Sequence, residues 1–525
     1  MKKALALVLA LVLCLGIFAG CNTDEPVDTT PSTNAPDTTT EPATEATTEP
    51  AETEYTFPAG AEIEVVGEHD INDLDMDRFV EGATGLSVKW IPRGDEAQVT
   101  AMMTQKVTPS LIYSGPQYGH EMGRYGALVN LYEYRDIMPD FFAVFDSYGE
   151  EIKIDYATSE DELYTAPAFL NGDTQRYGFL YRDDLFEKHN LSVPTNWEEF
   201  LNCCKVLKEA YPDSYPFTMR NGVWGMIEFA NCFGVDMGNW HVPALDYNTN
   251  TYYNGWTTDY ARNFLKCVRE LIDLGYMDVA CLSYGTADWT AAFASGDSFM
   301  TQDKAFQLEN IEKAGKEVDP NFSIYYFNNF PAFEGVNDLI TYQTRAYVDY
   351  GYGWHIPTRC PDIELACRYL NWMYSEEGAN VLSWGVEGES YGVDENGEKY
   401  FLEGYDFTYN ARYQEAGYID FKASMAAKQP KTQEMILGTM AASKEGGFYY
   451  GPQPVFNEEE NVIFTTYITD WASCIEAYWQ NFLLGTLDIN NDDDWAKFIA
   501  DCKGYHEDDL LAVHNSAYAR NVLGQ

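Results

Sequence analysis

The chain has few basic residues. Its 525 residues include only 33 Lys and Arg against 83 Asp and Glu, which gives a formal net charge of −50. A protein that binds nucleic acid needs Lys and Arg to neutralise phosphates, so this composition excludes a nucleic-acid-binding function. The same charge favours a neutral or cationic ligand over a polyanion.

Cysteine patterns of known frameworks are lacking, since the spacing of the cysteines fits neither a small disulfide scaffold nor a zinc site. Of the 11 cysteines, Cys14 lies within an N-terminal apolar run and Cys21 lies just after it. The remaining nine are an odd number and cannot all pair, so we expect mostly free thiols with at most one or two disulfides. These nine are Cys203, Cys204, Cys232, Cys267, Cys281, Cys360, Cys367, Cys474 and Cys502.

Three common motifs of catalytic and nucleotide-binding sites are missing as well. The sequence has no HExxH zinc motif, no Walker A loop and no GxGxxG dinucleotide motif. Its seven histidines are scattered singly, and His120-Glu121 and His506-Glu507 each lack the second histidine that a zinc site would need. Among 83 carboxylates, acidic pairs arise by chance, so a glycosidase pair cannot be inferred. We therefore predict no catalytic residue, no metal and no cofactor.

An acidic run at 488–494 imitates the start of a calcium-binding loop. An EF-hand needs Gly at its sixth position and Glu at its twelfth, where this chain has Asp493 and Ile499. The pattern predicts a solvated turn, with Asp494 capping a helix that begins at Trp495. A loose calcium site is the alternative.

The first twenty residues predict export. Lys2 and Lys3 precede an apolar run from Ala4 to Phe18, which ends in small residues before Cys21. This order is typical of a secretory signal, and the run is shorter than the roughly 20 apolar residues of a membrane span. A cysteine directly after Ala-Gly resembles a lipoprotein signal, which implies that Cys21 becomes the lipid-modified first residue. A plain secretory signal with an incidental cysteine is the alternative.

Residues 21–55 are rich in Thr, Pro, Glu, Asp and Ala and have no Lys or Arg. Such a segment cannot bury a core and is expected to be a disordered, extended tether. About 470 residues follow, which is long enough for two lobes. Large numbers of Trp, Tyr and Phe (12, 39 and 29) suit the recognition of sugar rings, although most must belong to the core.

Strands alternate with helices in the remaining chain, which predicts an α/β fold with parallel sheets. Short strands are predicted near 61–66, 86–90 and 111–113, and a helix near 75–83. Thr195 and Glu198 predict a capping box that starts an amphipathic helix. Further helices are predicted from about Asp259 to Leu274, ended by Gly275, and from Pro361 onward.

Several of these segments resemble the family 1 extracellular solute-binding proteins, the sugar-binding lipoproteins of ABC importers. The blocks are YGFLYRDDLFEKHNLSVPTNWEEF at 177–200, AAFASGDSFMTQD at 291–303 and the segment 353–391. The end of the third block and the tail from Phe482 to Arg520 resemble the larger, LplA-like subgroup. Trp384 stands where that subgroup has Tyr, and Ala519 where it often has Asp.

The resemblance implies a two-lobed periplasmic-binding-protein fold of type II, with hinge crossings and a central ligand cleft. Crossings are expected near 166–170, 303–307 and 373–378. The expected divisions are a signal peptide 1–20, a tether 21–55, lobe 1 at 56–168 and 305–375, and lobe 2 at 169–304 and 376–525.

Ligands of such folds bind at the carboxyl ends of parallel strands. The loops there supply polar candidates, and tryptophans beside glycine or polar residues supply stacking candidates. For each of them a loop or core role is the alternative. The candidate ligand-binding residues are Glu68, Asp70, Ser114, Tyr118, Asn171, Tyr177, Trp224, Trp240, Trp289 and Trp354.

The function that the resemblance implies is capture of a carbohydrate, expected to be an oligosaccharide, and its delivery to an ABC permease by hinge closure. The protein is expected to act as a monomer, lipid-anchored at Cys21 on the outer face of a Gram-positive cell membrane. A cell-surface glycan adhesin or sensor without a transport role is the alternative from another class.

Overall fold

A computed structural model describes residues 57–67, 76–148, 152, 156–159, 162–171, 177–238, 242–246, 248–336, 353–405, 417–442, 454–521 and 523. Helices and strands alternate through these ranges, so the expected α/β class is confirmed. Within them, no helix combines the length and the apolar character that a membrane crossing requires.

Strands are short and numerous. They are β1 (Glu62–Gly67), β2 (Ser87–Pro92), β3 (Leu111–Ser114), β4 (Ala157–Ser159), β5 (Glu162–Leu163), β6 (Ala166–Pro167), β7 (Phe169–Asn171), β8 (Tyr177–Tyr181), β9 (Ala244–Asp246), β10 (Thr251–Tyr253), β11 (Met300–Lys304), β12 (Tyr325–Phe327), β13 (Gly353–His355), β14 (Tyr391–Val393), β15 (Lys399–Phe401) and β16 (Tyr418–Asp420).

Helices cover more of the chain than strands. The α-helices are Met76–Thr84, Glu96–Met103, Pro116–Arg124, Pro139–Ser147, Asp183–His189, Trp197–Ala210, Ile227–Ala230, Asp259–Asp273, Thr286–Ser295, Gln307–Val318, Ile363–Tyr374, Glu376–Trp384, Phe421–Ala426, Pro430–Ala442, Glu458–Leu484, Asp492–Gly504 and Glu507–Asn521. Short 3₁₀ helices are Leu131–Tyr134, Trp224–Met226, Asn231–Phe233, Gly255–Thr257 and Val279–Ser283.

The first sheet has the order β2-β1-β3-β13-β6. β1 pairs in parallel with β2 and β3, whereas β13 runs antiparallel to both β3 and β6. Successive residues point to opposite faces, so Val65 and Leu111 enter one apolar cluster while Val66 and Ile112 enter another. The sheet is therefore covered on both faces, as is typical of parallel strands.

The second sheet has the order β11-β8-β12, with both neighbours antiparallel to β8. It too is covered on both faces, because Phe179 and Leu180 point into different apolar clusters. The larger of these clusters also takes in the helices Trp197–Ala210, Asp259–Asp273 and Glu458–Leu484.

The two sheets define two lobes. The first lobe comprises the described residues of 57–171 and 353–426, and the second comprises those of 177–336 and 430–521. The chain passes between them after β7, between β12 and β13, and before the helix Pro430–Ala442.

The second and third crossings differ from the expected ones near 303–307 and 373–378. Residues 307–318 and β12 stay with the second sheet, because β12 pairs with β8 and Leu308 packs beside Leu180. The helices Ile363–Tyr374 and Glu376–Trp384 stay in the first lobe, where they enter the core beneath β1. The described residues of 305–336 and 376–426 thus lie in the lobes opposite to those expected.

One short helix, Phe421–Ala426, lies between the lobes. Ala423 is buried in the first-lobe core, whereas Phe421 and Met425 pack against the second-lobe cluster around Leu180. Gln433 stabilises the C-terminal end of this helix, because its Nε2 donates to the carbonyls of Met425 (2.9 Å) and Lys428 (3.0 Å). This helix, called the hinge helix below, therefore packs against the cores of both lobes.

Several predicted helix ends shift by one or two residues. Asn196 caps the helix Trp197–Ala210 by accepting from Glu199 N, whereas Thr195 donates to the Glu199 side chain, so the predicted Thr195–Glu198 box does not form. Asn491 caps the helix Asp492–Gly504. Asp494 instead accepts from Asp488 N, so its predicted role as cap is wrong.

The helix Pro116–Arg124 packs against the first sheet through a glycine. A Cβ at Gly119 would stand 2.3 Å from Thr165 Oγ1 and 2.6 Å from the His355 ring. We expect Gly119→Ala to force the helix outward and to lower the free energy of unfolding by about 1–3 kcal/mol, as measured by urea denaturation.

Gly82 provides the matched control. It also lies within a helix, but a Cβ there would meet no atom within 4 Å. Gly82→Ala is expected to be neutral or to stabilise by roughly 0.5–1 kcal/mol. Equal effects of the two substitutions would contradict the close packing at Gly119.

Candidate functional site

The candidate site lies where the two sheets face the first crossing. In the first sheet Gly353 pairs with both Ser114 and Pro167, so these three residues form one edge, called the first-lobe edge below. In the second sheet Tyr177 pairs with Lys304, and these two together with Asp303 form the second-lobe edge. Because the chain runs from Pro167 to Tyr177 in ten residues, both edges adjoin the same crossing segment.

A buried histidine contacts the backbone at the first-lobe edge. His355 Nδ1 lies 3.0 Å from the Tyr164 carbonyl and its Nε2 lies 3.3 Å from the Ser114 carbonyl. Tyr118 packs edge-on against the same ring, with centroids 6.1 Å apart. His355 thus ties the strand that carries Ser114 to the segment that enters the crossing.

His120 and His355 are neutral at pH 7. Burial lowers the pKa of His355 to about 4, and burial also lowers that of His120 to about 4. A neutral imidazole carries one N–H, so only one of the two carbonyls at His355 receives a hydrogen bond from it. These histidines position the backbone and do not supply a general acid or base near pH 7.

The second-lobe edge carries a nearly buried ion pair. Arg220 Nε donates to Asp303 Oδ2 (2.6 Å), Nη2 donates to Oδ1 (2.9 Å), and Nη1 donates to Thr286 Oγ1 (2.8 Å). The guanidinium also lies over the Trp289 ring, 5.0 Å from its centroid. The planar guanidinium thus holds the Asp303 carboxylate and the Thr286 hydroxyl in fixed positions near the end of β11.

Tyr177 adds an aromatic ring to this edge. It is half-buried, and Lys304 Nζ lies 5.7 Å from its centroid. Charged and hydroxyl groups beside a partly exposed ring can bind both the hydroxyls and the C–H face of a polar, ring-shaped ligand.

Two of the predicted tryptophans belong to the core. Trp289 is fully buried, and its Nε1 donates to Thr301 Oγ1 (3.1 Å). Trp354 is fully buried within the first sheet, between Tyr113 and Trp90. Neither ring presents a surface to a ligand, which corrects the expectation that their polar and glycine neighbours leave them accessible.

Trp224 is also mostly buried, with 7% of its surface exposed. Its ring meets Trp256 edge-on at 5.0 Å, and Trp256 in turn meets Trp479 at 4.9 Å. Trp224 follows Arg220 on the same turn, where Gly225 N donates to Asn221 O. Trp224 belongs to the second-lobe core cluster, and contact with a ligand stays a prediction.

Three further candidates lie within the described residues, and three lie outside them. Ser114 is fully buried at the first-lobe edge, and Tyr118, 9% exposed, packs against His355 from the helix Pro116–Arg124. The backbone of Asn171 ends β7 beside Asp420. Glu68, Asp70, Trp240 and Cys21 lie outside the described residues, as do the whole of 1–20 and 21–55.

One pentapeptide, Gly388–Gly392, matches the GxSxG pattern of hydrolase nucleophiles. Its serine cannot act as one, because Ser390 is fully buried and its Oγ donates to Trp384 O (2.8 Å) and accepts from Val386 N (2.7 Å). It lies before a hairpin strand rather than at a strand-to-helix elbow. Instead, the Ser390 side chain stabilises the turn between Trp384 and Ser390 through these hydrogen bonds.

Arg220, Asp303 and Lys304 were missed from the sequence as site residues. Asp303 and Lys304 carry a signal once the strand is recognised as buried. The strand β11 is fully buried yet reads Met-Thr-Gln-Asp-Lys, and charged residues at the end of a buried strand indicate a polar site. Arg220 gave no local signal, since its partner lies 83 residues away.

Comparison with protein families gives one match. The family described as bacterial extracellular solute-binding protein matches residues 68–380, which include the first-lobe edge and the second-lobe edge. Comparison with curated protein sequences gives no match.

Solved structures share the fold across most of the chain. The alginate-binding protein AlgQ2 is 17% identical, with a TM-score of 0.69, and the match covers 89% of this chain and 100% of that one. A solute-binding protein from Bifidobacterium longum infantis, described as binding human milk oligosaccharides (HMO), is 14% identical, with a TM-score of 0.70 and coverages of 88% and 99%. FusA of S. pneumoniae, solved with kestose, is 14% identical, with a TM-score of 0.68 and coverages of 89% and 100%.

Proposed function

Because the chain belongs to the bacterial extracellular solute-binding proteins of ABC importers, we propose that it captures a carbohydrate outside the cell and delivers it to an ABC permease. The observation that carries this proposal is that one edge of each lobe's sheet adjoins the same crossing, with Asp303, Lys304 and Tyr177 on the second-lobe edge. The saccharides named for three proteins of the same fold support a carbohydrate ligand over another solute.

The proposed mechanism is closure of the lobes around the ligand. A ligand that contacts both edges binds the closed arrangement more tightly than the open one and shifts the population toward it. Movement is expected at the three crossings, with the hinge helix absorbing part of the rotation. No bond is made or broken in the ligand.

Charge narrows the class of carbohydrate. The net charge of −50 repels uronic-acid polymers at a distance, and the Arg220 guanidinium is already engaged by Asp303. Neutral oligosaccharides are therefore the proposed ligands.

A thermal-shift screen tests the ligand class. At about 100 times its dissociation constant, a ligand adds about 2.7 kcal/mol to the free energy of unfolding and raises the Tm measurably. We expect neutral oligosaccharides to raise the Tm, and acidic saccharides, amino acids and peptides to leave it unchanged. Tyr177→Ala should weaken the response, whereas Tyr400→Ala, in the exposed β14–β15 hairpin, should retain it. A shift with peptides alone would contradict the proposal.

Anchoring is a separate part of the proposal. Cys21 would carry a diacylglycerol, whose two chains give stable membrane attachment where one chain is marginal. Cys21→Ala should release the protein into the medium with its Tm and ligand affinity unchanged, as measured by fractionation and titration. A wild-type protein found without lipid in the medium would refute the anchor and leave the ligand proposal intact.

A further inference from the structure

Two cysteines face each other in the C-terminal part of the second lobe. The helices Glu458–Leu484 and Asp492–Gly504 form an antiparallel hairpin joined by the turn at 485–491. Their contacts follow in layers away from the turn: Phe482 packs on Trp495 (5.9 Å between centroids), and Tyr478 packs on Phe498 (5.2 Å). Cys474 and Cys502 form the next layer.

The two sulfurs are in contact. Cys474 Sγ and Cys502 Sγ lie 4.0 Å apart, and both side chains are buried. They come from different helices, 28 residues apart, so the contact is a product of the fold rather than of sequence proximity. A disulfide bond is about 2 Å long, so the two sulfurs need to approach each other by about 2 Å for the bond to form.

The pair is also chemically unequal. The hydrogen bond between the two sulfurs lowers the pKa of Cys474 and raises the pKa of Cys502. Burial, by contrast, raises the pKa of Cys204, Cys232, Cys267 and Cys281. The thiolate is the reactive form of cysteine, so Cys474 is favoured as the attacking group.

We propose that Cys474 and Cys502 form a disulfide in the exported protein. A low-molecular-weight disulfide, RSSR, serves as the oxidant. The Cys474 thiolate attacks one sulfur of RSSR, and the first RS⁻ leaves as a mixed disulfide forms. The Cys502 thiolate then attacks the Cys474 sulfur, and the second RS⁻ leaves. The two leaving thiolates take up the two protons that the cysteines release, so two protein thiols and RSSR give one protein disulfide and two RSH.

The bond would close the open end of the hairpin. The turn at 485–491 already joins the other end, so the disulfide would link 29 residues into a ring that holds both helices together. It would restrict the unfolded chain and add stability to the second lobe. Ligand binding at the two edges is a separate property, so the inference stands or falls independently of the proposed function.

Oxidation and mass spectrometry test the bond directly. The purified full chain is incubated with oxidised glutathione at pH 8, alkylated under denaturing conditions and digested. We expect linked peptides containing Cys474 and Cys502, and a Tm that falls by roughly 3–8 °C when dithiothreitol is added. Both cysteines recovered as alkylated thiols, or linked to other cysteines, would overturn the proposal.

Variants separate the bond from general effects of thiol loss. Cys474→Ser and Cys502→Ser should each abolish the dithiothreitol-dependent change in Tm, whereas Cys267→Ser, which removes a partly buried thiol from another helix, should retain it. A dithiothreitol-dependent change that persists in Cys474→Ser would also overturn the proposal. Comparing oxidised and reduced forms of one protein needs no variant to fold.

Discussion

Replacing Trp224 with alanine is expected to lower the free energy of unfolding by about 3–5 kcal/mol. The ring is 7% exposed and meets Trp256 edge-on at 5.0 Å, and Trp256 meets Trp479 edge-on at 4.9 Å, so truncation leaves a cavity at one end of a cluster of three tryptophans. Its Nε1 also lies 3.4 Å from Glu476 Oε2 on the helix Glu458–Leu484. Urea denaturation followed by circular dichroism measures the loss.

A conservative variant distinguishes packing from ligand contact at this position. Trp224→Phe keeps an aromatic ring and should recover much of the stability, while Tyr260→Ala, at a residue 64% exposed, should change stability by less than about 0.5 kcal/mol. If Trp224→Ala leaves the Tm unchanged but weakens saccharide binding tenfold or more, the ring is a ligand platform rather than a core residue.

Breaking the Arg220–Asp303 pair is expected to have a similarly large effect. The side chains are 14% and 8% exposed, and removal of the guanidinium leaves the Asp303 carboxylate buried without its ionic partner. Loss of one member of a buried pair costs about 3–5 kcal/mol. Arg220→Met should therefore lower the midpoint of urea denaturation strongly, with no change in slope.

The double variant and an exposed pair provide the controls. Arg220→Met combined with Asp303→Asn should be more stable than Arg220→Met alone, because it removes the carboxylate left buried without its guanidinium partner. Arg135 and Asp146 form an equally bidentate pair at the surface, with 47% and 42% exposure. Arg135→Ala should cost only about 0–1 kcal/mol. Equal losses at the two arginines would contradict the importance given to burial.

Local elements could be predicted from the sequence. The strands expected near 61–66 and 111–113 are Glu62–Gly67 and Leu111–Ser114, and the helix expected near 75–83 is Met76–Thr84. Apolar periodicity sets these elements, and periodicity is a local property. The helix Asp259–Asp273 ends as expected before Gly275, which has a positive φ of 70°.

The burial of the tryptophans could not be predicted, because a neighbouring glycine can either leave a ring exposed or let two backbone segments approach closely and bury it. A glycine beside Trp354 or Trp224 suggested an open ring face. In the structure a Cβ at Gly353 would stand 2.4 Å from Ala166 O, and one at Gly225 would stand 2.0 Å from Arg220 O. Both glycines allow two backbones to approach closely, which buries the neighbouring ring instead of exposing it.

The crossings could not be placed for a related reason. Whether 305–336 joins the first or the second lobe depends on the pairing of β12 with β8, strands about 150 residues apart. Nothing in the composition of β12 indicates its partner, since a short apolar strand fits either sheet. Strand partners are set by the packing of the whole lobe, and the local pattern does not contain that information.

Each lobe is built from two separate parts of the chain, and this limits when either can fold during export. The first lobe needs β13 and the helices up to Ala426, and the second needs the helices that end at Asn521. A chain that emerges from the translocation machinery N-terminus first therefore leaves the first sheet unfinished until His355 has crossed, and the second lobe without its last helix until Asn521 has crossed. Long-range pairings also slow folding. Newly exported molecules should depend on extracytoplasmic chaperones more than the finished protein's stability would suggest.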